Sequence, residues 1–235
     1  MVDAAALRAR LDSVRNRIER AASRVGRDPS SIRLVAVAKT FGVEHVRIAA
    51  EAGQIDFGEN RVQEAIDKMD GTADLPIRWH LVGYLQSNKA RKAASRFDVI
   101  HSLHAADLGD ALERAAATAH HPIELLAQVD LAGEPTKHGA REEQLAGMFE
   151  AARGWPTARL VGLMVLPPAV DDPERARPYF RALKSVRDRL LARGVDEAML
   201  TELSMGMSHD FEVAVEEGAT LVRVGTAIFG GRANV

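Results

Sequence analysis

Short apolar runs alternate along this chain with longer stretches of helical periodicity. Eight runs are rich in β-branched and other apolar residues, at 32–37, 55–57, 77–82, 99–103, 123–129, 160–166, 200–205 and 221–224. Stretches with apolar residues at helical spacing separate most of them, at 43–52, 61–69, 105–117, 141–152 and 173–191. Regular alternation of strand and helix predicts parallel strand pairing, because each crossover helix returns the chain to the same end of the sheet.

A parallel sheet can close into a barrel or stay open with helices on both faces. Eight strands within about 200 residues favour the barrel. The runs are apolar almost throughout, as is typical of strands covered on both faces, and no glycine-rich dinucleotide motif follows the first run. We therefore predict an α/β fold, a single (β/α)8 TIM-type barrel, with residues 1–235 forming one domain.

An additional amphipathic helix precedes the first strand. Its apolar residues recur at spacings of four and three, at Leu7, Leu11, Val14, Ile18, Ala21 and Val25. Gly26 and Pro29 end this pattern. Acidic residues are mixed with its arginines, which favours packing of 1–26 on the barrel over binding to a membrane surface or to a partner.

Composition excludes several classes of site and partner. The chain has no cysteine, so disulfides, zinc–thiolate centres, iron–sulfur clusters and thiol nucleophiles are excluded. A formal charge of −2 gives no general attraction to nucleic acid. No apolar run approaches the roughly 20 residues of a membrane span, and acidic residues interrupt the N-terminal segment. We expect a cytoplasmic protein without nucleic-acid or membrane partners.

The first apolar run continues through Ala38 and leads directly into Lys39. In barrels of this type the reactive residues stand at the C-terminal ends of strands. Apolar neighbours at that position would desolvate an ammonium group, which favours the neutral amine that attacks aldehydes. A lysine that keeps its charge in water at the barrel rim is the alternative.

Two loops near the end of the chain combine glycine with hydroxyl residues. They are Ser204-Met205-Gly206-Met207-Ser208, predicted to follow the seventh strand, and 222–231, which contains the eighth strand and the residues after it. Barrels commonly bind phosphate at these two loops, through backbone N–H groups and hydroxyls. Each glycine alone is consistent with a simple turn, but the two loops together predict a phosphate site.

One small molecule could contact both features, because strands one and eight are neighbours where the barrel closes. Pyridoxal phosphate carries an aldehyde for Lys39 and a phosphate for the loops. Arg223 could face its pyridine nitrogen, and a permanent cation there would keep that nitrogen unprotonated. An unprotonated ring is a poorer electron sink, which suits a carrier or a restrained racemase better than a transaminase.

Six motifs carry a resemblance to a known family. They are Val37-Ala38-Lys39-Thr40, 57–60 with 63–64, Trp79-His80 with Gly83 and 85–89, Gly162-Leu163-Met164, 203–208 and 222–230. In these residues the chain closely resembles the pyridoxal phosphate homeostasis protein family, over nearly its whole length. The single domain of that family is similar to the N-terminal barrel of bacterial alanine racemases.

The resemblance implies roles for individual residues. Lys39 would carry the Schiff base and Arg223 would face the pyridine nitrogen. Ser204, Gly225 and Thr226 would hold the phosphate, within the loops that also contain Gly206. Asn60 and Met164 would line the ring, at the ends of strands two and six.

The resemblance also implies a function. Family members are thought to store, buffer or deliver pyridoxal phosphate without substantial turnover, with pyridoxal-dependent apoenzymes as possible recipients. A racemase or another pyridoxal-dependent enzyme is the alternative. Racemases of related fold take a catalytic tyrosine from a second domain, whereas this chain has only Tyr84 and Tyr179. We therefore expect a non-catalytic monomer.

Several positions depart from the family pattern or have a simpler explanation. Phe41 stands where many members have a second lysine. Lys137 keeps the family's Lys-x-Gly arrangement and has either a transfer role or a place in a surface turn. The histidines lack the spacing of a metal site, and His80 is either a core residue or one that approaches the ligand.

Overall fold

Eight parallel strands form a closed barrel in the order of the sequence. The computed structural model describes residues 2–133 and 138–231. The strands are β1 Arg33–Val37, β2 Asp56–Glu59, β3 Arg78–Leu81, β4 Val99–Leu103, β5 Ile123–Gln128, β6 Ala158–Met164, β7 Glu202–Met207 and β8 Leu221–Val224. This arrangement confirms the predicted (β/α)8 barrel and excludes the open sheet.

Helices follow the strands and surround the barrel. They are α1 Ala4–Arg24, α2 Val43–Glu51, α3 Val62–Asp70, α4 Ala90–Ala94, α5 Ala106–Ala119, α6 Glu142–Ala152, α7 Arg177–Ala192, α8 Phe211–Glu216 and α9 Thr226–Phe229. The sequence did not predict α8 and α9, which have only six and four residues, too few to show a helical period. Within the described ranges, no helix is both long and apolar enough to span a membrane.

Alternation along each strand separates an inner face from an outer face. Side chains inside the barrel form a small apolar layer, made of Val35, Val99, Leu126, Met164 and Leu221. A much larger apolar cluster lies between the strands and the helices. Lys39 has the same parity along β1 as Val35 and Val37, which are on the inner face. We call the end of the barrel formed by the C-terminal ends of the strands the mouth.

The N-terminal helix α1 packs against the outside of the barrel. The side chain of Asp3 caps it by accepting a hydrogen bond from the Ala6 N–H at 3.0 Å. The predicted apolar stripe is buried from Leu7 to Ala21, and it faces α2, α8 and α9. Val25 is instead exposed, because it follows the last turn of the helix.

Candidate functional site

Lys39 lies at the mouth, two residues beyond the end of β1. The Ala38 N–H donates to the Gly58 carbonyl at 2.9 Å, so strand-like pairing with β2 continues up to the lysine. Lys39 is half-buried, and within the described part of the chain no hydrogen bond or ion pair engages its ammonium. An amine in this position is available to an aldehyde that enters through the mouth.

A buried ion pair supports the backbone beneath Lys39. Lys68 of α3 donates to the Ala38 carbonyl at 2.7 Å and pairs with Glu59 of β2 at 2.5 Å. Burial raises the pKa of Glu59, although the hydrogen bond from Lys68 opposes the shift. Thr40 adopts φ of 70°, a left-handed conformation that turns the chain sharply after Lys39. The pair and the turn together hold the start of the lysine side chain at the mouth.

Strands β1 and β8 close the barrel directly beside Lys39. Val35 pairs with Arg223 and Ala36 pairs with Val224. A Cβ atom on Gly225 would lie 3.1 Å from the Val37 carbonyl oxygen, so Gly225 packs against β1 two residues before the lysine. The structure therefore brings Lys39 and Gly225 together at the same edge of the mouth.

A second group at this seam presents backbone N–H groups and hydroxyls. The Ser208 hydroxyl accepts hydrogen bonds from the N–H groups of Gly225 at 3.0 Å and Ala227 at 3.4 Å. Thr226 is exposed as the first residue of α9. We call Ser208 and 225–227 the seam loop. Backbone N–H groups and hydroxyls of this kind bind phosphate, and a phosphate oxygen would take the place of the Ser208 oxygen as the acceptor for the two N–H groups.

Gly206 shapes the approach of β7 to the seam loop. Its φ is 90°, and a Cβ atom there would lie 2.5 Å from the Ala214 Cβ and 2.9 Å from the Phe211 Cα. Glycine thus permits both the backbone conformation and the close packing against α8. The missing side chain of Gly206 faces α8, and the residue turns the chain so that Ser208 reaches Gly225.

Ser204 and Arg223 lie deeper, inside the barrel. Arg223 donates one guanidinium N–H to the Ser204 hydroxyl and another to the Val165 carbonyl, the latter at 2.9 Å. Burial lowers the pKa of Arg223 to about 10, which leaves the guanidinium charged at neutral pH. Ser204 is fully buried, and its hydroxyl is already hydrogen-bonded to Arg223 and His101 below the mouth. Among the serines of this motif, Ser208 is the one in the seam loop, a distinction that the sequence motif does not reveal.

Met164 and Asn60 lie on opposite sides of the mouth. Met164 is fully buried in the inner apolar layer at the end of β6. Asn60 follows β2 and is half-buried. Its backbone packs so closely on Gly83 that a Cβ atom on Gly83 would overlap the Asn60 backbone. Asn60 also lines a cavity of about 330 Å³ that includes Tyr84 and reaches the start of α4. Met164 ends β6 and Asn60 directly follows β2, so both are at the mouth end of the barrel.

Phe41 and Tyr84, which follow β1 and β3, pack against other aromatic rings. Phe41, in place of a lysine, packs against His45 and Phe229 with ring centroids 5.0 and 5.3 Å apart. Tyr84 stacks on His138 at 3.9 Å. Lys137 lies outside the described residues.

The barrel, the lysine after β1 and the seam loop define a class, the (β/α)8 barrels of the alanine racemase N-terminal type. The family model described as alanine racemase, N-terminal domain, matches residues 9–233. The chain belongs to the pyridoxal phosphate homeostasis protein family, as the resemblance predicted. It is 42% identical over 223 residues to the Aquifex aeolicus pyridoxal phosphate homeostasis protein, covering 95% of this chain and 97% of that protein. Identity to the Escherichia coli K12 protein of the same name is 37% over 228 residues, or 94% of this chain and 95% of that protein.

Solved structures agree with this assignment. PipY of Synechococcus elongatus, in a structure with pyridoxal phosphate bound, is 38% identical, with a TM-score of 0.84 over 95% of this chain and all (100%) of PipY. An alanine racemase of Clostridium difficile gives a TM-score of 0.74 at 15% identity, covering 98% of this chain and 57% of the racemase. The racemase comparison shows a shared fold only.

Proposed function

We propose that this protein binds pyridoxal phosphate as a Schiff base with Lys39 and serves in its homeostasis. The observation that carries the proposal is the closure of β1 on β8, which puts Lys39 beside Gly225 and the seam loop. An aldehyde and a phosphate on one small molecule match these two groups. The bound cofactor seen in PipY supports the same assignment.

The residues of the mouth fit this cofactor chemically. Gly225 brings the seam loop into close contact with Val37, two residues before Lys39, and Thr226 offers an exposed hydroxyl next to it. We assign the phosphate to the seam loop with Gly225, Thr226 and Ser208. Ser204 and Gly206 do not contact the phosphate in this assignment. Ser204 accepts a hydrogen bond from Arg223, and Gly206 forms the turn that brings Ser208 to the seam loop. Asn60 and Met164 form the walls on either side of the ring.

The proposed role is storage, buffering or delivery of the cofactor without substantial turnover. When bound, pyridoxal phosphate supplies an aldehyde that combines reversibly with amines. A charged Arg223 near the pyridine nitrogen disfavours a second positive charge there, which suits a carrier. The name shared by the relatives supports this role. The proposal includes a cytoplasmic monomer that acts as one domain and passes the cofactor to apoenzymes.

Replacing the lysine tests the covalent part of the proposal. The wild-type protein mixed with pyridoxal phosphate should absorb in the visible range, and borohydride should abolish that band and attach the cofactor to Lys39, as peptide mass analysis would show. Lys39→Ala should lose both signals. Lys89→Ala is the matched control, because Lys89 is exposed beside the mouth and has no proposed role. Equal labelling of Lys39→Ala and wild type would contradict the proposal.

The absence of turnover needs a separate assay. The loaded protein is incubated with a panel of amino acids in deuterated water, and exchange at the α-carbon is followed by NMR. A carrier should give no more exchange than the same concentration of free cofactor. Exchange at the rates typical of enzymes, about 1 per second or faster, would instead support a racemase or a related enzyme.

A further inference from the structure

A continuous series of polar side chains crosses the apolar interior of the barrel. The Asp56 carboxylate lies 2.8 Å from Nε2 of His80, and Nδ1 of His80 lies 2.8 Å from Nε2 of His101. Nδ1 of His101 lies 2.8 Å from the Ser204 hydroxyl, which also accepts a hydrogen bond from Arg223. We call Asp56, His80, His101, Ser204 and Arg223 the interior chain. It joins the N-terminal end of the barrel to the mouth.

The hydrogens of this chain can be ordered from its two charged ends. An ionised Asp56 can only accept, so His80 carries its hydrogen on Nε2 and offers Nδ1 as an acceptor. His101 must then donate from Nε2 and accept at Nδ1. At the other end Arg223 can only donate, so the Ser204 hydroxyl accepts from it and donates to His101. Every hydrogen bond is satisfied in one direction, with both histidines neutral.

The surroundings keep the histidines neutral and the carboxylate charged. Burial lowers the pKa of His80, and it lowers that of His101 well below its ordinary value. Burial acts against ionisation of Asp56, but the hydrogen bond from His80 and the nearby Arg33 and Arg78 together hold the pKa of Asp56 below its ordinary value. The reverse direction would aim a histidine lone pair at the carboxylate, and it is therefore disfavoured.

The Asp56 end of the interior chain is in contact with solvent. Asp56 lines a cavity of about 420 Å³ between α1 and the starts of β1 and β2, together with Arg15 and Gln54. The side chain of Asp56 is 16% exposed, whereas His80, His101 and Ser204 are fully buried. The charge that orders the chain thus lies at the end of the barrel opposite Lys39.

We propose that Asp56, through His80, His101 and Ser204, orders a single directed series of hydrogen bonds that holds the Arg223 guanidinium in place as a donor to the mouth. Asp56 and both histidines are then positioning residues of the cofactor site, although Asp56 lies at the far end of the barrel. Two N–H groups of Arg223 are engaged by Ser204 and Val165, which leaves others for an acceptor. An unprotonated pyridine nitrogen is such an acceptor, and this part rests on the proposed function.

The direction of the chain is tested first on the protein without cofactor. Nitrogen-15 NMR of histidine-labelled protein distinguishes the two neutral tautomers. Both His80 and His101 should carry hydrogen on Nε2 at pH 7, and His101→Gln and His80→Gln would assign the signals. A signal from the Nδ1–H tautomer, or from a doubly protonated ring, at either residue would overturn the proposal.

Asp56→Asn tests whether the carboxylate sets that direction. An asparagine amide can donate as well as accept, so this end no longer fixes one direction, and the Nδ1–H tautomer of both histidines should become detectably populated. Glu202→Gln is the matched control. Glu202 is an acid at the same end of the barrel and is 19% exposed, but it pairs with Arg33 and is not part of the interior chain. Unchanged histidine tautomers in Asp56→Asn would overturn the proposal.

Ser204→Ala tests the link to the cofactor site. Removing the hydroxyl leaves Arg223 with the Val165 carbonyl alone, and pyridoxal phosphate should bind about tenfold more weakly or worse. The nitrogen-15 shift of labelled cofactor should also move, which a merely structural loss would not cause. Thermal melting checks that the variant is folded, and Asp56→Asn should shift the same pyridine signal by a smaller amount. Unaltered affinity and pyridine shift in folded Ser204→Ala would refute the coupling.

The two proposals fail in different ways. A wild-type protein that binds no pyridoxal phosphate refutes the proposed function, while the histidine tautomers still decide the direction of the chain. Normal cofactor binding with the Nδ1–H tautomers at His80 and His101 refutes only the proposed direction of the hydrogen bonds in the interior chain.

Discussion

Glycine decides the local geometry around the seam loop at the scale of single residues. Gly225 has φ of −115°, which any residue can adopt, so only the space beside Val37 requires a glycine there. Gly206 is different, because its φ of 90° and its contact with α8 both exclude a side chain. Gly225 thus permits the close approach of β8 to β1, whereas Gly206 is required by its backbone conformation as well as by its packing.

Gly206→Ala should therefore destabilise the protein strongly. A left-handed backbone conformation and a Cβ atom 2.5 Å from Ala214 both oppose the substitution, at a combined cost of about 2–5 kcal/mol in the free energy of unfolding. Urea denaturation measures this cost. Gly147→Ala is the control, because Gly147 is in helix α6 with no atom within 4 Å of the added Cβ, and alanine should stabilise by roughly 0.5–1 kcal/mol. Similar stability of the two variants would contradict this explanation.

Helix α1 holds the last elements of the barrel at the scale of secondary structure. Arg17 pairs with Glu212 of α8 at 2.8 Å, and its guanidinium lies 4.5 Å from the Phe211 ring centroid. Arg10 donates to the Ile228 carbonyl of α9 at 2.7 Å. Because α9 begins at Thr226, contacts from α1 support the seam loop from behind.

Arg10→Ala should loosen α9 more than it affects the rest of the fold. Loss of this charged, half-buried hydrogen bond to the Ile228 carbonyl costs about 1–2 kcal/mol. The loss should destabilise the backbone of α9 most, because the carbonyl belongs to that helix. Amide exchange at 226–231 should accelerate, and cofactor affinity should fall several-fold. Arg8→Ala is the control, because the Arg8–Glu51 pair is exposed and contributes about 0–1 kcal/mol. Equal exchange in both variants would rule out this support.

The sequence predicted the strands and most of the helices better than it predicted how deep in the barrel each site residue lies. The alternation of eight apolar runs was sufficient to predict the closed sheet, because period and order determine the topology of a parallel barrel. Ser204 and Ser208 are four residues apart in one motif, and the register of β7 against β8 shifts between Ser204 and Met207, so the motif alone does not show which serine reaches Gly225. The sequence did not indicate the Glu59–Lys68 pair either, because it depends on how α3 packs on β2.

The whole molecule combines two different ends. The mouth presents Lys39 and the seam loop, whereas the N-terminal end of the barrel carries paired charges such as Arg33 with Glu202 and Arg78 with Glu124. The interior chain connects these ends through an otherwise apolar layer. Burying two neutral histidines there makes the stability of the entire fold depend on pH.

The free energy of unfolding should fall as the pH drops below about 6.5. Burial lowers the pKa values of His80 and His101 in the folded protein, while in the unfolded chain both titrate near their ordinary value of about 6.5. Below that pH the unfolded state binds protons that the folded state excludes, at up to about 1.4 kcal/mol per pH unit for each histidine. The raised pKa of Glu59 has the opposite sign and offsets part of the loss above about pH 4.5.

His101→Gln isolates one of these contributions. Urea unfolding between pH 5 and 8 should give a shallower pH dependence for this variant than for wild type, by up to about 1.4 kcal/mol per unit below pH 6.5. His120→Asn is the control, since His120 is exposed and asparagine tolerates its φ of 52°. Parallel curves for wild type and His101→Gln would mean that His101 exchanges protons as freely in the folded barrel as in the unfolded chain, and a neutral histidine in the interior chain would then be untenable.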